Sequence, residues 1–349
     1  MKKPSHGGNL IWGATLAGCS PSELVDFSAS INPLGPPQSA IAAIQNSLGV
    51  LTTYPDPNYT QLCSTLGNWH QLPPEWILPG NGSAELLTWA SRELSQLDAT
   101  YLFTPAFGDY WRSLKAFNAQ VHPILLSEAI TPPNAARSGI LINNPHNPTG
   151  KLFTKEALQK YLEEFALVVV DEAFMDFLPP EEEQSLLPLV TEYTNLVILR
   201  SLTKFYSLPG LRLGYAISHP KRLQNWQEWR DPWPVNVLAE QAAIAVIQDR
   251  EFQQKTWNWL PPTRKELFEG LQAIPGLQPL QGAANFVLVK TAKPSSQLQT
   301  QLLTNHKILI RDCQSFPELG EVFFRVSVRT QPENQLLLQA LTQCLLNTT

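Results

Sequence analysis

A chain of 349 residues, 43% hydrophobic and 16% charged, carries enough apolar material for a large core, which excludes a disordered polypeptide and favours two domains over one. A formal net charge of −5 with no run of basic residues excludes general attraction to nucleic acid or an anionic membrane, so any anion must be met by a local site. Cys19, Cys63, Cys313 and Cys344 are scattered without metal-ligand spacing and read as free thiols; with no apolar stretch of signal-peptide or membrane-span length, the expectation is a cytoplasmic protein without a metal.

Along the chain, prolines punctuate apolar runs rather than forming a linker. The first thirty-odd residues are set apart by the turn-rich run Asn32-Pro-Leu-Gly-Pro-Pro37. From about residue 80 to 220, short runs rich in Val, Ile and Leu alternate with helical stretches. Strands are predicted at Tyr101–Thr104, Val121–Leu126, Gly139–Asn144, Leu167–Glu172, Asn195–Ser201 and Leu213–Ser218. This alternation predicts an α/β fold with a mostly parallel sheet wrapped by helices. Further on, Asn285–Lys290, Lys307–Cys313 and Phe323–Arg329 read as strands among helices such as Glu333–Leu346, the pattern of a smaller α+β domain. The expected division is a large domain over 34–237 and a small one made of 1–33 with 238–349.

In open α/β sheets ligands gather at the carboxyl ends of strands, so polar residues just beyond the apolar runs carry the functional signal. Four places qualify. Pro79-Gly-Asn-Gly-Ser-Ala-Glu85 precedes a helical stretch; it is either a plain helix-capping turn or a phosphate site made of backbone N–H groups at a helix start. Leu141-Ile-Asn-Asn-Pro-His-Asn-Pro-Thr-Gly150 is a well-made turn, or one whose Asn amide donates to a phenolate oxygen. Its His146 reads as a loop residue. Val168-Val-Val-Asp-Glu-Ala-Phe174 ends an apolar strand in two acids, and a carboxylate at that depth needs a partner, whether an arginine or a protonated ring nitrogen. Last, Ser201 and Thr203 flank Lys204, with Arg212 eight residues on: two hydroxyls and a guanidinium can hold a phosphate dianion while the lysine reaches an aldehyde.

Together these motifs resemble the fold-type-I pyridoxal phosphate enzymes of the aminotransferase superfamily, from His6 to Arg329. The resemblance implies pyridoxal phosphate as cofactor and Lys204 as the residue that bonds its aldehyde. It implies that Asp171 pairs with the pyridine nitrogen and that Asn147 donates to the phenolate oxygen. Gly82, Ser83, Ser201, Thr203 and Arg212 would surround the cofactor phosphate, and Phe107 would stack on the ring, unless Phe107 is a core aromatic. It further implies a homodimer with shared sites, in which Tyr54 reaches the phosphate of a neighbouring subunit; Tyr54 as a core aromatic is the alternative.

Two branches of the superfamily compete, histidinol-phosphate aminotransferases and the threonine-phosphate decarboxylases of cobalamin biosynthesis. The runs His6-Gly-Gly-Asn9, Asp26-Phe-Ser28, Asp171-Glu-Ala-Phe-Met-Asp-Phe177 and Lys307-Ile-Leu-Ile-Arg-Asp-Cys313 are similar to the decarboxylases, whereas the aminotransferases usually have Tyr where Phe174 stands. Charge points the same way. Threonine phosphate brings a phosphate and a carboxylate, and the resemblance places His6, Gly7, Ser30, Asn147, Arg311 and Arg325 on a small phosphorylated amino-acid substrate. An ion pair is the structural alternative for either arginine, and Arg329 has no assignment beyond sharing the strand face of Arg325. Ser30 departs from the branch, which usually has Asn there; a hydroxyl reaches less far than an amide, which opens preference for other phosphorylated amino acids. A non-catalytic cofactor-binding regulator is the remaining alternative, and the chain has no basic helical extension of the kind such proteins use on DNA.

Overall fold

The computed structural model describes residue 4 and residues 6–127 and 135–346. Helix α1 (Leu10–Ala17) and the short strand β1 (Val25–Asp26) come first, and α2 (Gln38–Asn46) and α3 (Thr60–His70) lead into β2 (Ile77–Asn81). The chain then runs α4 (Ser83–Leu94), β3 (Thr100–Thr104), α5 (Gly108–Ala116), β4 (Val121–Leu125), β5 (Gly139–Asn143), α6 (Lys155–Glu164), β6 (Leu167–Asp171), β7 (Leu196–Ser201), α7 (Leu202–Phe205) and β8 (Leu213–Ser218). Among the described residues, β2 to β8 form one sheet in the order β2-β8-β7-β6-β5-β3-β4.

The strands form where they do because their apolar residues feed two layers at once. Val168 and Val170 of β6, Ile198 of β7 and Ile142 of β5 enter one core, while Val169, Val197, Leu199 and Leu141 enter the other. Period-two alternation thus buries both faces, and continuous Val/Ile/Leu runs are what such strands need. Each such side chain contributes about 1.5–3 kcal/mol of burial, so a charge placed at Val169 would break the sheet at its centre.

The predicted strands agree with the observed ones to within one residue, except that Phe323–Arg329 ends two residues early, at Ser327, and that of Lys307–Cys313 only β11 (Ile308–Leu309) is a strand. β2 has no counterpart in the sequence reading. It contains Pro79 and Gly80, which weaken a strand signal, and it lies at the sheet edge, where proline is tolerated. Its direction matters: β2 is antiparallel to β8, which is antiparallel to β7, so β2 runs parallel to the central strands. The ends of β2, β3, β5, β6 and β7 and the start of β8 therefore share one rim.

Beyond β8, α8 (Pro220–Trp229) and α9 (Val237–Gln248) follow, and α9 packs on α2 and α3. The long α10 (Arg250–Gln272) leads to β9 (Leu277–Pro279), β10 (Phe286–Thr291), α11 (Ser295–His306), β11, β12 (Phe323–Ser327) and α12 (Gln331–Leu346). Strands β9, β10 and β12 make an antiparallel sheet, and β1 pairs parallel to β11, joining the N-terminal segment to this C-terminal part. No helix among the described residues is long and apolar enough to cross a membrane, and none of their His, Cys, Asp and Glu side chains cluster to hold a metal.

Candidate active site

The shared rim opens on a cavity of about 350 Å³ between the large sheet and the N-terminal and C-terminal segments. Its lining includes His6, Gly7, Ser30, Ser83, Phe107, Asn147, Asp171, Ser201, Thr203, Lys204, Arg212 and Arg325. Three other sequence candidates stand outside it: Gly82 lies beneath Arg212, Arg311 lines an adjoining narrow cleft with His6 and Gly7, and Tyr54 is 77% exposed and stacks on Trp233 at 4.4 Å.

One end of the cavity is built for an anion. Helix α4 starts at Ser83 with Gly82 as its cap, so its first N–H groups and positive dipole end meet the rim. Gly82 has φ +76°, and a Cβ there would stand 2.6 Å from Arg212 Nη2, so only glycine lets the guanidinium lie across this turn. Ser201 caps α7, accepting from the Thr203 N–H at 3.3 Å. That short helix presents Lys204, whose backbone carbonyl accepts from the Asn32 N–H at 3.0 Å. Burial first, then the Arg325 and Arg212 charges, hold the Lys204 amine down at about 8. A lysine so placed is neutral often enough near neutral pH to act as a nucleophile.

The far end is acidic and aromatic. Asp171 ends β6, 8% exposed, with Oδ2 accepting from Tyr110 Oη at 2.7 Å and Oδ1 from the Ala173 N–H at 3.0 Å. Burial raises its carboxyl above the ordinary range, against the pull of the Tyr110 hydrogen bond. Such a group gains from a cationic partner. Asn143, at the end of β5, accepts the Asn147 N–H at 2.6 Å and donates to the Asp171 carbonyl at 2.8 Å, tying the loop to the acid. Sequence reasoning missed Tyr110 and Asn143. Each lies beside a candidate in sequence, but its role is set by a contact across strands. Glu172, the neighbouring acid, is spoken for elsewhere: it is fully buried and pairs with Arg200 Nε at 2.9 Å.

Cations from the C-terminal part close the cavity. Arg311 and Arg325 face each other through a backbone bridge, Arg325 N–H to Arg311 carbonyl at 2.7 Å and the reverse at 3.0 Å. Arg325 donates to Asn147 Oδ1 and, at 3.2 Å, to the Ser28 carbonyl; with the amide oxygen thus engaged, Asn147 has only its NH₂ left to offer. Arg311 donates to Ser315 Oγ. Both arginines are buried, which lowers their pKa values, Arg325 to about 10, so both stay charged at neutral pH. Arg325 has no carboxylate ion-pair partner among the described residues, whereas Arg329 pairs with Glu333 at 2.6 Å and is a structural residue. Partial desolvation and the Arg311 charge hold His6 below its ordinary value. Gly7 admits no side chain, because its Cβ would stand 2.2 Å from the Ser28 carbonyl oxygen.

Residues 22–341 match the model of the family described as aminotransferase class I and II. The chain belongs to the class I and II aminotransferase family. It is 36% identical to the threonine-phosphate decarboxylase of Salmonella typhimurium over 98% of this chain and 96% of that one. It is 33% identical to histidinol-phosphate aminotransferase 1 of Mannheimia succiniciproducens, over 93% and 90%. Among solved structures, the histidinol-phosphate aminotransferase from Clostridium acetobutylicum superposes with a TM-score of 0.84 at 28% identity, covering 93% of this chain and all of that one.

As a member of this aminotransferase family the protein is a pyridoxal phosphate enzyme, and its residues fit that group. The cavity offers an anion cradle, a lysine of lowered pKa and a buried acid short of a cation. It also has polar atoms in need of partners: Ser30 Oγ and Arg325 Nε are buried without a hydrogen-bond acceptor or donor in the protein. Buried polar groups left so are uncommon in folded proteins and mark where a ligand belongs.

Proposed function

We propose that the protein decarboxylates L-threonine O-3-phosphate to (R)-1-amino-2-propanol O-2-phosphate and carbon dioxide, as a step of cobalamin biosynthesis. The observation that carries the reading is the gathering of buried cations along one cavity and its adjoining cleft. Arg212 and the α4 start are enough for a cofactor phosphate, and Arg311 and Arg325 add two more guanidiniums beside His6. A substrate with both a phosphate and a carboxylate uses them at once; histidinol phosphate has no carboxylate, and its 2-oxoglutarate co-substrate has no phosphate. Phe174 supports the same reading, since it lines the cavity without a hydroxyl and packs edge-on against Phe286 at 5.1 Å.

In this reading Lys204 would bond the cofactor aldehyde, Asp171 would pair with the pyridine nitrogen, Asn147 would donate to the phenolate oxygen and Phe107 would stack on the ring. Gly82, Ser83, Ser201, Thr203 and Arg212 hold the phosphate. When bound, pyridoxal phosphate supplies an electron sink for the bond broken at the substrate α-carbon. The chain decides which bond that is. Arg325 and the Asn147 amide it grips would hold the substrate carboxylate, and Arg311 with His6 would hold the substrate phosphate. Ser30 donates its unpaired hydroxyl at the same edge. Lys204 Nζ would hold the proton that the α-carbon takes up in place of carbon dioxide.

The assembly in this reading is a cytoplasmic homodimer. Exposed Leu48, Val50, Leu51, Tyr54 and Trp233 support it, because soluble monomers rarely leave such apolar runs uncovered, and Tyr54 then reaches the partner's cofactor phosphate. Incubating purified enzyme with threonine phosphate tests the reaction: carbon dioxide and the amino-propanol phosphate are expected in equal amounts. Glutamate formed from histidinol phosphate and 2-oxoglutarate, with threonine phosphate inert, would establish transamination instead.

A further inference from the structure

Arg264 of α10 is a half-buried cation to which the chemistry above gives no part. Its Nη1 donates to two backbone carbonyls, that of Ala283 at 2.6 Å and that of Ala284 at 3.3 Å. Both belong to the turn between β9 and β10. Through other groups the same turn reaches two walls of the cavity. The Ala283 N–H donates to the Gly150 carbonyl at 2.7 Å, and Gly150 closes the loop that carries Asn147. Asn285 Nδ2 donates to the Ser30 carbonyl at 3.1 Å. At Gly150 two backbones touch: a Cβ on Gly150 would stand 3.0 Å from Gly282 Cα, and one on Gly282 would stand 2.9 Å from Gly150 Cα. Neither position admits a side chain without moving the other segment.

From Gly150 the contacts lead straight to the site. Its N–H donates to the His146 carbonyl at 2.6 Å, and the next residue is Asn147, whose amide oxygen accepts from Arg325. The strand side of this loop is fixed separately, by the Asn147 N–H on Asn143 Oδ1 at 2.6 Å. The turn is likewise pinned at its ends, by the Leu280 N–H on the Leu288 carbonyl and the Val328 N–H on the Asn285 carbonyl, both at 2.8 Å. Between those ends, Arg264 and Gly150 are the hydrogen-bond partners of the turn backbone among the described residues. We propose that Arg264 is a positioning residue: by gripping the Ala283 and Ala284 carbonyls it fixes the turn against Gly150 and so sets where the loop presents the Asn147 amide. A guanidinium suits the task, since one planar group of donors serves two carbonyls one residue apart. Arg264 does not line the cavity, so the turn is its route to the site.

The inference rests on the contact of Asn147 with the cofactor proposed above but not on the identity of the substrate, so its test uses pyridoxal phosphate alone. The full-length variants R264M, G282A and N147A would be titrated with the cofactor, following its visible absorbance across pH. R264M keeps the apolar stem and loses both carbonyl contacts; its affinity should fall about three- to tenfold, the range for a residue acting through intermediate contacts. The pH midpoint of the bound cofactor's absorbance should rise by a few tenths of a unit, since a displaced Asn147 favours the phenolate less. G282A, which leaves Arg264 in place but pushes on Gly150, should move the midpoint the same way. Should R264M fail to fold, R264Q, which keeps a polar tip but is too short to reach both carbonyls, reads the same two quantities. An unmoved midpoint in R264M, or in R264Q where R264M does not fold, would overturn the proposal even if affinity or Tm falls, because that is what a purely structural role gives. So would an unmoved midpoint in G282A. N147A separates this inference from the reading beneath it: a midpoint unmoved there refutes the placement of Asn147 and the inference with it, whereas one that moves in N147A but not in R264M refutes the inference alone. A failure to decarboxylate threonine phosphate would leave these readouts untouched and count only against the substrate.

Discussion

Replacing Tyr110 by Phe removes one hydrogen-bond donor and almost no volume, and its effect can be worked from the site. The lost bond is the 2.7 Å contact from Tyr110 Oη to Asp171 Oδ2, between residues 3% and 8% exposed. A hydrogen bond to a charged group contributes about 1.5–3 kcal/mol, which for a bond made only to the ionised carboxylate is roughly 1–2 pH units. Burial already raises Asp171, and Y110F would raise it further, leaving only the Ala173 N–H on the carboxylate. A larger share of the free enzyme then carries a protonated Asp171 that cannot pair with a protonated ring nitrogen. The affinity for pyridoxal phosphate should fall about 10- to 100-fold near neutral pH and recover part of the loss at higher pH, where the acid ionises. Titrating the purified variant with cofactor over a pH series checks this. Equal affinity for wild type and Y110F at every pH would refute the claim that the tyrosine holds the acid in its charged form.

Other variants separate stability from function. Asp171→Asn should stabilise the cofactor-free protein by a few degrees in Tm at pH 7–8 while abolishing turnover. The sign follows from the raised carboxyl: a folded pKa above the unfolded one means that the ionised group opposes folding as pH rises beyond the unfolded value, and Asn removes that penalty. Arg325→Gln takes a cation from beside Lys204, so in the cofactor-free protein the lysine amine should titrate above about 8, as read from the pH dependence of cofactor binding, while in the cofactor-loaded enzyme KM for the phosphorylated substrate should rise at least tenfold, about 1.4 kcal/mol. Ser30→Ala should lower kcat/KM about 3- to 10-fold without changing cofactor affinity, the size of one neutral hydrogen bond; unchanged kinetics would remove Ser30 from the substrate edge.

Much of this was legible in the sequence because the central strands announce themselves. Leu167-Val-Val-Val170 is apolar at every position since both sheet faces are covered, and the residues that follow such runs are the rim residues by geometry alone. What escaped was whatever depends on a partner distant in the chain. β2 reads as a turn because Pro79 and Gly80 obscure an edge strand, yet its direction is what brings Gly82 and Ser83 to the rim. Lys307–Cys313 is strand-like throughout but pairs with β1 for only two residues, after which a single bridge holds Arg311 to Arg325. Tyr110 and Asn143 owe their roles to Asp171. Period-two alternation rightly put Arg325 and Arg329 on one face; the face serves two ends, as Ser327 and Arg329 secure residues 26–29 while Arg325 alone of the three reaches the cavity.

The fate of the substrate's α-hydrogen bears most directly on the central claim, because decarboxylation and transamination break different bonds at the same carbon. With threonine phosphate deuterated at the α-carbon, the account expects carbon dioxide to be released and the amino-propanol phosphate to keep its deuterium, gaining one hydrogen from solvent beside it. Loss of the deuterium with the carboxylate still attached would contradict it.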